Sequence, residues 1–436
     1  MSRPARDSST RVLYLGDTAI GGRGATGQTL NAMYGEIDGD RLLQLLAGPA
    51  TGSEKGTIVE LPRSATPVRS LLMFGVRAVR RLTASNVLPE AHDGLNAAVA
   101  RTDLTGRQQV RHGLRALSEI APVRLPKSLR RTIEEFRPDV VHSLLGSVRS
   151  MRLAIAISRR WQIPIAPHFM DDWPPTMYLS GELFGVARVA ADRSFRKVLA
   201  RSPLLLTIGR AMRDEYATRY RRPCMVVGNG VDPSEYAHAV RNNEEGRPRT
   251  IVYVGGLHLG RGEVLLQVAR HLHGTGSEWK LLVHAPARDV SRFLGGENPP
   301  SLEIGAELTE PEVPHALTSA DVLLFVESSD PQIAAFTRLS VSTKVPQYLA
   351  AAKPIVIVGP ADQASALELA SSARHACTLP SAPGRELSVL DGFLESALLD
   401  AAIDQELPDR FDRASVRREF SHALDRVAHA RRVRRP

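Results

Sequence analysis

Short β-branched and aliphatic runs alternate with longer stretches of three- and four-residue apolar spacing, the sequence form of right-handed βαβ units and a parallel sheet. RVLYLG at 11–16, DVVHS at 139–143, IPIAP at 163–167, LLLTI at 204–208 and CMVVG at 224–228 predict one series of strands. TIVYVGG at 250–256, KLLVHA at 280–285, DVLLFV at 321–326 and PIVIVG at 354–359 predict a second. Helical spacing falls at 144–160, 261–273, 343–352, 363–372 and 388–400. Between the two series, 237–249 is polar and without periodicity, as expected of a linker. The pattern predicts two doubly wound, Rossmann-like α/β domains, 1–236 and 250–410. Residues 83–122 mix Asn, Gly and Pro with weak periodicity and read as partly disordered or as a mobile lid.

At 436 residues the chain is long enough for two cores. Its two cysteines, Cys224 and Cys377, exclude a disulfide framework and point to a reducing compartment. No apolar run approaches the 18 or so residues needed to cross a bilayer, and the polar MSRPARDSST leads directly into the first strand. The expectation is a cytoplasmic protein. Residues 1–240 carry 34 basic and 22 acidic side chains, net +12, whereas the remainder is net −3. A basic half suggests an anionic partner, unless it reflects an Arg-rich coding bias. The stretch VRSLLMFGVRAVRRL at 68–82, with Arg69, Arg77, Arg80 and Arg81, reads either as a segment lying on anionic lipid at the inner membrane face or as an amphipathic helix over the first sheet. Nucleic acid is not expected, since aromatics are only 5% and no reading module is present.

Ligands of open parallel sheets bind beyond the carboxyl ends of the strands, which directs the search for chemistry. After the first strand, Gly21 and Gly22 sit in a glycine-rich loop before a helix, where backbone amides can approach an anion or simply make a flexible turn. After IPIAP, His168, Asp171 and Asp172 are candidates for orienting sugar hydroxyls or a developing charge; a packed His and a capping Asp are the structural alternative. Two adjacent carboxylates are too few oxygens for a hard cation, so no metal is expected. Gly255 and Gly256 end a strand just before Arg261 at a helix start, an arrangement suited to a diphosphate. Ser342 or Thr343 is a natural helix cap, and Lys344 in the first turn opposes the helix dipole unless an anion is bound.

Taken together and in order, the glycine loop, RPDVVHSLLG at 137–146, IPIAPHFMDDW at 163–173, VVGNGVDPSEY at 226–236, IVYVGGLHLGRG at 251–262, ADVLLFV at 320–326 and STKVPQYLAAAKPIV at 342–356 resemble the retaining family 4 glycosyltransferases of the GT-B fold. The resemblance implies two Rossmann-like domains facing a cleft, with a final helix, 411–436, returning to the first domain. It implies transfer of a sugar, a hexose, from a nucleotide-diphosphate donor to a lipid-linked or polysaccharide acceptor. The donor is then a co-substrate, and no other cofactor or metal is implied. It places His168 beside the donor sugar, Gly21 and Gly22 near phosphates or acceptor, and Arg261 and Lys344 on the diphosphate. The chain departs from the family where a second Glu is usual: that position is Gln347, suited to ribose hydroxyls, and eight residues earlier stands Leu339, with Glu327 or Asp330 the nearer equivalent. The usual Gly before Lys-Pro is Ala352. An epimerase of the same fold, or a sugar-nucleotide-binding protein without turnover, is the alternative.

Overall fold

The computed structural model describes residues 10–22, 24–48, 55–66, 106–179, 181–237, 248–294, 296, 299–380, 387–397 and 405–430. The segment read at 68–82 lies outside them, as does nearly all of the linker. The chain forms two compact units, one of residues 1–228 with 416–436, the other of residues 229–415.

Among the described residues, the first unit is built on a seven-stranded parallel sheet of order β3-β2-β1-β4-β5-β6-β7. The strands are β1 (Val12–Gly16), β2 (Leu42–Leu46), β3 (Thr57–Glu60), β4 (Val140–Ser143), β5 (Ile165–Phe169), β6 (Leu205–Thr207) and β7 (Cys224–Val226). The helices are α1 (Ala25–Tyr34), α2 (Gly106–Ile120), α3 (Lys127–Phe136), α4 (Val148–Trp161), the short α5 (Trp173–Thr176), α6 (Val186–Leu199) and α7 (Arg210–Tyr220). Helix α4 begins later than its periodicity predicts because Ser147 and Ser150 form a reciprocal capping box there. Helix α2 gives regular structure to the end of 83–122, a stretch read from sequence as irregular.

The second unit carries a six-stranded parallel sheet of order β10-β9-β8-β11-β12-β13. Its strands are β8 (Arg249–Val254), β9 (Trp279–His284), β10 (Leu302–Gly305), β11 (Val322–Val326), β12 (Ile355–Val358) and β13 (Ala376–Leu379). Its helices are α8 (Arg261–Gly274), α9 (Ala287–Phe293), α10 (Val313–Ser319), α11 (Pro331–Thr337), α12 (Lys344–Ala351), α13 (Ala364–Ser372) and α14 (Ser388–Ala397). Each sheet reverses its winding once, between β1 and β4 and between β8 and β11, and such reversals open a crevice at the carboxyl ends of the strands. The central strands are buried on both faces; Val322–Val326 is buried throughout.

The last helix, α15 (Arg413–His429), leaves the second unit at Ser415 and packs on the first from Val416 onward. Val416, Phe420, Ala423, Leu424 and Val427 make a helical apolar stripe, and all five join the first unit's core. The Phe420 ring lies 4.8 Å from Tyr34 and 5.1 Å from His142 between centroids. At the other crossing, Asn229 already belongs to the second unit, ahead of the boundary read at Tyr236, and donates to the Val341 carbonyl at 2.7 Å.

Candidate functional site

The second unit brings together residues far apart in the chain. Gly255 and Gly256 follow β8, Glu327 follows β11 at the reversal, and α8 and α12 start beside them with Arg261 and Lys344 as their first residues. Arg261 lies 3.9 Å from the Glu327 carboxylate, and both side chains are nearly enclosed. The Lys344 ammonium stands 5.1 Å from the Tyr253 ring centroid, a cation–π distance. Tyr253 is fixed in turn by donating to the Gly256 carbonyl at 2.7 Å, and Tyr348 of α12 by donating to the Leu324 carbonyl at 3.1 Å.

Gly255 has a physical reason. It sits at φ 131°, and a methyl group there would come within 2.8 Å of Lys344 Cε and 2.9 Å of its Nζ. Gly256 is as tight, since its added carbon would meet His258 Nδ1 at 2.7 Å. Asp289 accepts from the Leu257 amide at 3.0 Å and holds the loop in shape.

The electrostatics of this cluster are unbalanced. Burial, with the neighbouring Arg261 charge, pushes Lys344 down to about 7, against which Glu327 acts only in part. Two cations on two helix amino termini share one carboxylate. The cluster therefore favours an incoming anion, which would restore the ammonium and complete the charge. Arg261 Nε is buried with no partner, a donor still to be satisfied.

Of the other residues expected on this side, the Ser342 hydroxyl accepts from the Lys344 amide at 3.3 Å. Thr343 occupies the cap position of α12 without a side-chain cap bond. Gln347 is half-buried on the same helix. Ala352 takes the left-handed conformation at φ 51° that the family's glycine would adopt without strain.

In the first unit the geometry corrects two expectations. His168 lies within β5, not beyond it, paired opposite Leu206 of β6 and fully buried. Its Nε2 meets the Val227 carbonyl at 2.9 Å and so must donate, and burial pushes its pKa down to about 4. His142, 5.6 Å away between ring centroids, is held by the Tyr34 hydroxyl at 2.6 Å and is likewise kept neutral by burial. Each ring leaves one buried nitrogen without a partner, His168 Nδ1 and His142 Nε2.

Asp172 is the second correction. It is 3% exposed and accepts from Arg219 at 2.7 and 3.1 Å and from the Tyr216 hydroxyl at 2.9 Å. Those contacts tie the turn after β5 to α7, the packing arrangement that stood as the alternative to a role in the chemistry. Asp171 beside it is half-buried. Gly21 has φ 91°, and a carbon added at Gly22 would meet the Ala19 carbonyl at 2.9 Å. The loop is anchored by the buried Gln44, which accepts from the Ile20 amide at 2.9 Å. Neither Gln44 nor Tyr253 carries a mark in sequence: Gln44 falls in a stretch with no predicted strand, and Tyr253 looks like an ordinary strand position.

Residues 90–235 match the family model described as Glycosyltransferase Family 4. Among solved structures, HepE from Anabaena in complex with UDP is 13% identical, with a TM-score of 0.56, over 95% of this chain and 99% of its own. The α,α-trehalose 6-phosphate synthase from Burkholderia multivorans is also 13% identical, with a TM-score of 0.55, over 97% of this chain and 99% of its own. The chain has the GT-B glycosyltransferase fold. No curated protein matches it by sequence. Within this divergent GT-B chain, the reversal between β8 and β11 is where the charged cluster gathers. Among the described residues, no helix is long and apolar enough to cross a membrane.

Proposed function

We propose that the protein transfers a sugar, a hexose, from a nucleoside-diphosphate donor to a glycan or lipid-linked acceptor, with retention of anomeric configuration. The observation that carries this reading is the convergence of Arg261 and Lys344 on two helix amino termini beside Gly255 and Gly256, with the Lys344 charge weakened by burial and by Arg261. Support for the donor class comes from HepE, solved with UDP and glucose at 13% identity, a TM-score of 0.54, and coverage of 95% of this chain and 99% of its own.

In this reading the anomeric C–O bond breaks and its electron pair leaves with the diphosphate, whose charge Arg261 and Lys344 stabilise as it develops. The acceptor oxygen bonds to the anomeric carbon on the same face, and its proton passes to the departing phosphate. Glu327 and the Tyr253 ring keep the two cations aimed at the phosphates. Gln347 on α12 meets the donor's ribose.

The test is a thermal-shift series with UDP, GDP, ADP, dTDP and CDP, because a ligand of the folded state raises its apparent stability. One diphosphate should raise the midpoint, and Arg261→Ala should abolish that rise while leaving the unliganded midpoint within a few degrees. Proton NMR of the product from the matching sugar nucleotide then reads the anomer. No rise with any diphosphate, or an unchanged rise in Arg261→Ala, overturns the phosphate assignment.

A further inference from the structure

Away from the strand ends, the first unit presents an open groove of about 610 Å³ between α4 and α6, closed at one side by the end of α2. Ile155, Ala156 and Val189 are among its apolar lining residues, and Arg152, Arg159, Arg193 and Lys197 line it as well. Arg159, Arg193 and Lys197 are exposed. Helix α4 contains no acidic residue, and the single carboxylate of α6, Asp192, is engaged by Arg188 at 3.2 Å. The groove is therefore cationic and carries no countercharge of its own.

Exposed apolar side chains gather on the same elements. Among the described residues, every large exposed hydrophobic side chain of the first unit lies on α2, on α6 or on the loop leading into α6: Leu114, Leu117, Leu179, Phe184, Val186 and Val189. Phe184 is fully exposed. Leu183 and Phe184 hold left-handed backbone angles of φ 52° and 55°, an unfavourable conformation for such residues. Leu183 packs back towards Gly113 of α2, whose added carbon would lie 3.9 Å from Leu183 Cδ2, so the loop belongs to the same face.

We infer that this face docks on a bilayer containing anionic phospholipid, with Arg159, Arg193 and Lys197 on head-group phosphates and Phe184, Val186 and Val189 entering the acyl boundary. An apolar centre fringed by unpaired cations matches an anionic membrane interface. An acidic protein partner would meet the cations but leave the protruding phenyl ring without an apolar host. The inference concerns surface attachment and holds whether or not the proposed sugar transfer is correct.

The test is sedimentation of the full chain with vesicles of phosphatidylcholine alone and of phosphatidylcholine with roughly 30% phosphatidylglycerol, enough to make the surface anionic. Binding should require the anionic lipid and weaken with salt. Neutralising Arg159, Arg193 and Lys197 to Gln should weaken it about a hundredfold, from about fivefold per surface charge. Phe184→Ser should weaken it separately. Unchanged thermal midpoints establish that the variants are folded, and Lys197→Arg should restore binding lost in Lys197→Gln. Equal binding to both vesicles, full binding by the triple variant, or binding to soluble polyglutamate but not to vesicles would overturn the inference.

Discussion

Lys344 makes the proposed donor site testable through protons. With its pKa near 7 in the unliganded protein, Lys344 is only about one-tenth protonated at pH 8. A bound diphosphate restores the ammonium, so binding at pH 8 should take up about 0.9 proton per site. A free nucleoside diphosphate is already fully ionised there, because a terminal phosphate titrates near pH 6. Between pH 7 and pH 9 the charged fraction of the free lysine falls about fiftyfold, and affinity should fall with it while the bound lysine keeps its proton. The stability of the unliganded protein moves the other way. Above about pH 7 and up to the ordinary lysine pKa, the unfolded chain holds the proton that the folded chain lacks, so the folded state gains with rising pH. Titration calorimetry at pH 8 with the diphosphate that raises the thermal midpoint, in HEPES and in Tris, whose ionisation enthalpies differ, counts the protons directly. Lys344→Met should bind weakly, take up none, and lose the pH dependence of affinity. Absence of proton uptake in the parent, or equal uptake in Lys344→Met, would refute the assignment of Lys344 to the phosphates.

Two further substitutions separate packing from chemistry. Asp172→Asn should cost about 2 kcal/mol, below the usual figure for a buried pair because Arg219 is a quarter exposed, and so lower the calorimetric midpoint by about 4–8 °C; a normal midpoint with lost turnover would return Asp172 to the chemistry. Gly255→Ala adds a methyl group against Lys344 at φ 131° and should cost about 1–2 kcal/mol of stability with about tenfold in affinity for the diphosphate that binds. Undiminished affinity in that variant would show that the Gly255 loop does not approach the nucleotide.

The candidate diphosphate site was the more legible half of the chemistry. Lys344 stands out because a cation in the first turn of a helix conflicts with the dipole, and Arg261 because it follows two glycines at a strand end. Of their partners, only Glu327 is marked, and that through the family resemblance and not through a local rule. Tyr253 reads as one more strand residue, and Glu327 acquires its meaning from lying across the winding reversal from β8. His168 was misread for a related reason. Pro167 looks like a strand end, yet β4 pairs with it and β6 carries the ladder on through His168 and Phe169.

What the sequence by itself determined is the two-sheet α/β architecture and the places where local rules are broken. Apolar periodicity and turn chemistry act over a few residues and can be read without neighbours. Strands such as Leu42–Leu46, interrupted by Gln44, and Ala376–Leu379, with little burial of their own, depend on the strands beside them. Only the tertiary structure decided that Asp172 belongs to Arg219, 47 positions later, that His168 and His142 are sealed in the core, and that four cations frame an apolar groove. Those facts arise from desolvation and from charges brought close by chain topology, and both depend on which distant segments become neighbours.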